Sequence, residues 1–257
     1  MAHPLRIRAI ADAKIAYKTG GLYTGVEFEN LKNEKIPLLM ENQEGMEMLH
    51  QLMELVRKKN IFRWDKKKIE VKLIATILYY AGISLRKTSK FLKDFEKFSH
   101  EALRQWYHKL AQLFTNSRKY RRCIAIDETK IKIGDEWHYI WAAIDVETWE
   151  ILGVMVTKWR TSIDVIRFVK NFLPYCENKP LIKIDKAPWY RWALQRMGLK
   201  YEHETFGERN AIEGWFNILK ARLKRFWKRF PSNASKESVE KWLTAFVAIY
   251  NLEVRIS

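Results

Sequence analysis

Three acidic residues stand out for the places they occupy. Asp127 closes the apolar run Ile124-Ala-Ile-Asp127, Asp185 closes Leu181-Ile-Lys-Ile-Asp185, and Glu213 lies one turn into a helix-patterned segment. An acid that ends an apolar strand also serves as a turn former, so either aspartate alone says little. Two such strands and a helical acid, in an order that carries them to one end of a single sheet, point to chemistry. Like carboxylates held together repel and raise one another's pKa, a conflict that divalent cations remove. Hard oxygen ligands suit Mg²⁺ or Mn²⁺. Two such ions, roughly 4 Å apart, stabilise the attacking and leaving oxygens of an in-line displacement at phosphorus.

The neighbouring charges fit that chemistry. Lys186 follows Asp185, while Arg209, Lys220 and Lys224 share or flank the stripe of Glu213. Lys220, Arg222, Lys224, Arg225, Lys228 and Arg229 run without an intervening acid, as a phosphate-backbone track or as a solvated basic face. Arg209, one turn before Glu213, is also placed for an ordinary ion pair with it. Strand alternation turns Glu128 to the face opposite Asp127, and Asp145 on the next strand is a further acid able to approach the site. The six histidines offer no metal-spaced pair on one helix face. No Gly-rich phosphate loop is present, which disfavours nucleotide hydrolysis. The many tryptophans read as core and interface residues more than as base-stacking platforms.

The elements that must hold these groups fall into two textures. Ile69, Leu73, Ile77 and Tyr80 mark a first helix, Ser84 caps a second through Leu92, and Ser99 caps a third with Leu103, Trp106, Tyr107, Leu110 and Phe114 on its buried face. That third helix leaves His100, Glu101, Arg104, Gln105, His108 and Lys109 outward. Such a trio is a helix-turn-helix whose Arg104 and Gln105 read base edges, with His108 and Lys109 beside them, or a three-helix bundle with a solvated face. Beyond Arg122 come strands over 123–133, 137–146 and 151–158, a helix over 162–173, a strand over 181–184, a helix over 190–197, a strand over 201–206 and a long helix over 210–230. Three strands, helix, strand, helix, strand, helix is the order of the ribonuclease H-like fold. The fold class is therefore α/β: a mixed five-stranded sheet with flanking helices, preceded by an all-α helix-turn-helix domain. The expected division is 1–60, partly helical with Gln43 to Lys58 amphipathic and no assignable role; 61–118, helix-turn-helix; 119–231, catalytic; and 232–257, a C-terminal helix.

Composition agrees. The 257 residues carry 47 Lys plus Arg against 30 Asp plus Glu, a formal charge of +17, which favours a polyanionic partner. The 47% apolar content excludes a disordered chain, and two cysteines cannot build a disulfide framework. The longest apolar run, Leu73 to Ile83, is too short to span a bilayer, and the amino end lacks a signal peptide, so a cytoplasmic, nucleoid-associated protein is expected.

Four segments, in order, resemble the DDE transposases of the insertion sequence 6 family: Asp127-Glu-Thr-Lys-Ile-Lys, Trp137-His-Tyr-Ile-Trp-Ala-Ala-Ile-Asp145, Asp185-Lys-Ala-Pro-Trp-Tyr190 and Arg209-Asn-Ala-Ile-Glu213. Ser99 to Trp106 also resembles that family's third helix. The resemblance implies that Asp127, Asp185 and Glu213 are the metal-binding catalytic triad holding two Mg²⁺ or Mn²⁺ ions. It places Lys220 near the scissile phosphate. It further implies cleavage at the terminal inverted repeats of an insertion sequence, strand transfer into double-stranded target DNA, and a homodimer or higher oligomer that joins two ends. Gly214-Trp215-Phe216 departs from the polar residues most members carry after the glutamate. A nuclease of the same fold that cuts without joining, and an inactive DNA-binding remnant, are the rival readings.

Overall fold

The computed structural model describes residues 43–63, 66–204, 207–224, 229–231 and 233–256. The unpatterned first forty residues, Phe206, and the basic positions Arg225 and Lys228 lie outside them. Leu52–Ser257 make up one compact unit.

Helix α1 (Gln43–Lys58) covers the range its apolar spacing predicts. Then come α2 (Ile69–Tyr80), α3 (Leu85–Phe91) and α4 (His100–Lys109), the last extended by a 3-10 turn to Leu113. Both predicted caps form: Ser84 accepts from the Lys87 N–H, and Ser99 from the Ala102 N–H at 3.0 Å. The three helices pack on one another through Leu73, Tyr79, Leu103 and Tyr107, all buried.

The sheet begins with β1 (Cys123–Ile133), which returns through Gly134 and Asp135 as β2 (Glu136–Asp145) and again as β3 (Ile151–Thr157). Gly134 takes φ 59°, the left-handed value that so tight a reversal demands. Helix α5 (Ser162–Phe172) opens on a capping box between Thr161 and Asp164. It leads to β4 (Leu181–Ile184), α6 (Pro188–Arg196), β5 (Tyr201–His203) and α7 (Asn210–Leu223). The strand order is β3-β2-β1-β4-β5, antiparallel across β1–β3 and parallel from β1 through β4 to β5. This is the mixed five-stranded ribonuclease H-like sheet.

One element differs from expectation. Helix α7 stops at Leu223 rather than continuing to Phe230, and Arg229–Phe230 form a two-residue strand, β6, alongside Lys132 and Ile133 of β1. Helical spacing of Leu223 and Phe230 persisted in the sequence, but the open edge of the β1 hairpin offers Phe230 a buried seat and a backbone partner.

Alternation sorts the sheet into two faces. Ile124, Ile126, Trp141, Ile182 and Ile184 pack under α5 and α6 with Phe168, Phe172 and Tyr190. A Cβ on Gly153 would meet the Cβ of Phe172 at 3.2 Å, so glycine there is what lets α5 close on β3. The opposite face carries α7 and α8 (Lys236–Ile256). Helix α8 is apolar on most sides because it is clasped on most sides: Trp242 and Phe246 stack 5.6 Å apart beneath the helical trio, while other turns lie on β3. Asn251 donates to and accepts from the backbone of Ile151, at 2.8 and 2.9 Å.

Candidate active site

Strand β1 pairs with β4 in a parallel register that sets Cys123 beside Leu181 and Ala125 beside Lys183. Carried two residues further, it sets Asp127 beside Asp185, on one face of neighbouring strands about 4.8 Å apart. Asp185 leaves the end of β4 and accepts the Ala187 N–H at 2.9 Å, which fixes its carboxylate in a tight turn. The turn-former role weighed from sequence therefore falls to this side chain.

Asp127 is half-buried, with one oxygen accepting the Glu128 N–H at 2.8 Å and the other the Arg209 guanidinium at 2.9 Å. Burial lifts its carboxyl above the ordinary aspartate range, and the charge of Asp185 adds to the lift; Arg209 and the Glu128 N–H pull the other way. Arg209 is buried, donates to the Glu204 carbonyl at 3.1 Å, and among the described residues its Nε finds no partner. Its guanidinium serves Asp127, neither pairing with Glu213 nor facing outward to DNA.

Glu213 lies on the first turn of α7, four residues past Arg209 and so about 6 Å further along the helix. Its side chain is exposed. Among the described residues no three His, Cys, Asp or Glu stand close enough to share a metal ion. Asp127 and Asp185 are thus brought together without Glu213, which stands one helical turn from Arg209. Gly214-Trp215-Phe216 follows Glu213 because α7 is a core helix here: Trp215 is fully buried, lies tilted against Phe216 and meets Tyr250 edge to face. A polar residue at 215 would have no water to reach.

Glu128 does turn to the other face, where Tyr190 donates its hydroxyl to the carboxylate and Arg160 pairs with it at 3.3 Å. Burial raises this carboxyl as well. Asp145 does not approach the site. It sits beside Ile124, three residues up the strand from Asp127, pairs with the wholly buried Arg121, and accepts the Glu147 N–H to shape the β2–β3 turn.

The expected DNA contacts separate into three groups. Lys186, Lys220 and Lys224 are exposed, Lys186 next to Asp185 and the other two on and just past α7. Arg222 is buried, stacks over Tyr79 and Trp242, and donates to the Tyr79 and Tyr80 carbonyls at 2.7 and 3.1 Å. It satisfies the C-terminus of α2, a use that a row of cations cannot disclose. On α4, Arg104 makes a two-pronged pair with Glu101 at 2.6 and 2.8 Å and Gln105 leans on the same carboxylate, whereas His108 is half-buried. Burial and the Arg104 charge push the His108 imidazole down to about 4. Lys109 is partly covered on the last turn of α4. Unforeseen from sequence is a basic cleft of about 320 Å³ between α3 and α4, lined by Arg86, Lys90, Lys93 and Lys97.

A mixed sheet of this order, with Asp127 on its central strand and Asp185 just past the end of the neighbouring parallel one, is consistent with a nuclease- or transposase-type domain. Residues 122–253 match the DDE domain family of the IS240-type transposases, and the chain belongs to this family, the DDE domain of the insertion sequence 6 group. The protein MJ0017 of Methanocaldococcus jannaschii is 47% identical over 201 residues, covering 78% of this chain and 94% of that one. The transposase for insertion sequence-like element IS431mec of Staphylococcus aureus is 25% identical over 145 residues, 54% of this chain and 64% of its own. Among solved structures, the BIV integrase catalytic core is similar at a TM-score of 0.37 and 14% identity, over 49% of this chain and 81% of that one. A chain of the simian T-cell lymphotropic virus intasome complex is similar at 0.39 and 12%, over 65% and 66%. Among the described residues no helix is long and apolar enough to cross a membrane.

Proposed function

We propose that this protein cleaves DNA at the ends of an insertion sequence and joins the freed ends to target DNA, with Asp127, Asp185 and Glu213 as its catalytic acids. The reading is carried by one observation: the parallel register of β1 and β4, continued past its last pair, brings Asp185 just beyond the end of β4 level with Asp127. Asp127, lifted by burial and by its neighbour's charge, and Asp185, held by a backbone N–H, form an oxygen donor set that suits a hard divalent cation. Asp127 and Asp185 would hold Mg²⁺ or Mn²⁺, with Glu213 completing the set from α7. When bound, such ions supply a nucleophilic oxygen and neutralise charge on the departing one. The protein's own contribution is positional. Strand pairing fixes the two aspartates, Arg209 keeps Asp127 aligned, and exposed Lys186, Lys220 and Lys224 steer phosphates toward them. Helices α2–α4 act as the helix-turn-helix that holds the terminal repeat, with Arg104 and Gln105 toward the bases and the cleft of Arg86, Lys90, Lys93 and Lys97 on the backbone. Two ends must meet, so the working form is a dimer or larger.

The test uses duplexes that carry the inverted repeats flanking the coding region, with Mg²⁺ or Mn²⁺. Wild type cleaves and joins. Asp127→Asn, Asp185→Asn and Glu213→Gln each lose at least about 100-fold in cleavage while still binding the ends. Cleavage without joining assigns a ribonuclease H-like endonuclease, and binding without cleavage in wild type assigns a remnant.

A further inference from the structure

The β1–β2 hairpin beyond the acidic pair carries aromatic rings that the fold leaves uncovered. Trp137 is 48% exposed and Trp159 is 67% exposed. Tyr139 pairs with Thr157 across β2 and β3, so the two tryptophans lie two residues further on, at the same end of the strands. Cations edge Trp137 and the nearby Tyr139 and Trp189 rings. Lys130 and Lys132 place their ammonium groups 4.3 and 4.9 Å from the Trp137 ring, and neither forms an ion pair among the described residues. Arg160 lies 4.5 Å from both the Tyr139 and Trp189 rings and reaches Glu128, next in sequence to Asp127.

Large exposed rings edged by unpaired cations suit a ligand that is flat, apolar on its faces and anionic along its spine. Nucleobases on a phosphodiester chain are that ligand. In a duplex the base faces are already stacked, so such rings are open only to unpaired bases. We infer that Trp137, Trp159, Lys130, Lys132 and Arg160 form a ledge that binds an unpaired DNA strand, on the sheet face of Glu128 and opposite Asp127. The four steps from Glu128, which Arg160 pairs, to Lys132, the partner of Trp137, span about 14 Å of strand. At about 3.4 Å per nucleotide of a stacked strand, that is about four nucleotides. The ledge gives the proposed strand-cutting site a grip on DNA that is locally opened, and it rests on that reading for its substrate.

Binding is measured by fluorescence anisotropy in EDTA, so that no cleavage enters the result, on a blunt duplex and on the same duplex with a 3′ overhang of about four nucleotides. Wild type prefers the overhang. Trp137→Ala with Trp159→Ala abolishes the preference, a loss of about 10–100-fold on the overhang with blunt-duplex affinity unchanged. Lys130→Gln with Lys132→Gln, which leaves the core untouched, lowers the salt slope for the overhang by about two. Equal loss on both duplexes, no overhang preference in wild type, or an unchanged salt slope overturns the ledge. So does a dimer that dissociates when the tryptophans are removed, which would give the face to a second copy of the chain. Because Asp127→Asn is read by cleavage and the ledge by binding without metal, either reading can fail while the other stands.

Discussion

The Arg209 guanidinium rests 2.9 Å from Asp127, across 82 residues of chain, and in doing so docks the first turn of α7 onto the central strand of the sheet. A cation already neutralises one of two carboxylates that repel each other, which is the service a divalent ion would otherwise provide.

Arg209→Gln should therefore raise Mn²⁺ affinity several-fold, since a competing cation is gone, and cost the metal-free protein about 1–3 kcal/mol of stability by leaving Asp127 unpaired. Isothermal titration calorimetry and thermal unfolding in EDTA check the two halves. Weaker metal binding in the variant would instead make Arg209 a support for the site.

Arg222→Ala should lower stability by about 2–4 kcal/mol, because the buried Tyr79 and Tyr80 carbonyls lose their donors. A Tm lower by roughly 5–15 °C is the expected reading. Its affinity for DNA below that temperature should match wild type, which a phosphate contact would not allow.

Glu101 restrains Arg104, and the hydrogen bonds from that guanidinium hold the Glu101 carboxyl down at about 2. Arg104→Ala should weaken binding to the terminal repeat by about 1–3 kcal/mol while sparing unrelated DNA. Glu101→Gln should release Arg104, tightening binding to unrelated DNA and narrowing the margin between the two. Competitive gel shifts with both sequences measure that margin.

Glu253 on α8 accepts the Tyr80 hydroxyl at 2.8 Å, and burial pushes its carboxyl up to about 7. A carboxyl raised in the folded state binds its proton more tightly there than in the unfolded chain. Its contribution to stability is thus greatest below the unfolded value near 4.5 and falls as pH rises to about 7. Glu253→Gln should match wild type near pH 4.5 and exceed it by about 1–2 kcal/mol at pH 8, allowing for partial solvent screening. Denaturant unfolding at the two pH values gives the difference.

The strands were legible because Ile124-Ala-Ile and Leu181-Ile-Lys-Ile are runs that only a covered sheet can bury, and because Gly134 marks the hairpin. Ser84 and Ser99 located their helices by local capping alone. What escaped was decided at long range. A list of cations cannot tell that Arg222 plugs the end of a helix 142 positions away, or that Arg209 answers Asp127 instead of the acid four residues on. Nor does composition separate the wholly buried Trp141 from the uncovered Trp137 and Trp159, since that depends on where α5 and α6 stop covering the sheet.

The Arg222 fork and the α8 helix pin the helical trio to the sheet as one solid piece. On the proposed function, a duplex gripped at α4 would be offered to Asp127 at a set offset, as between the jaws of a caliper. Which bond is cut would then be measured in ångströms from the grip, with no slack for a tether to vary.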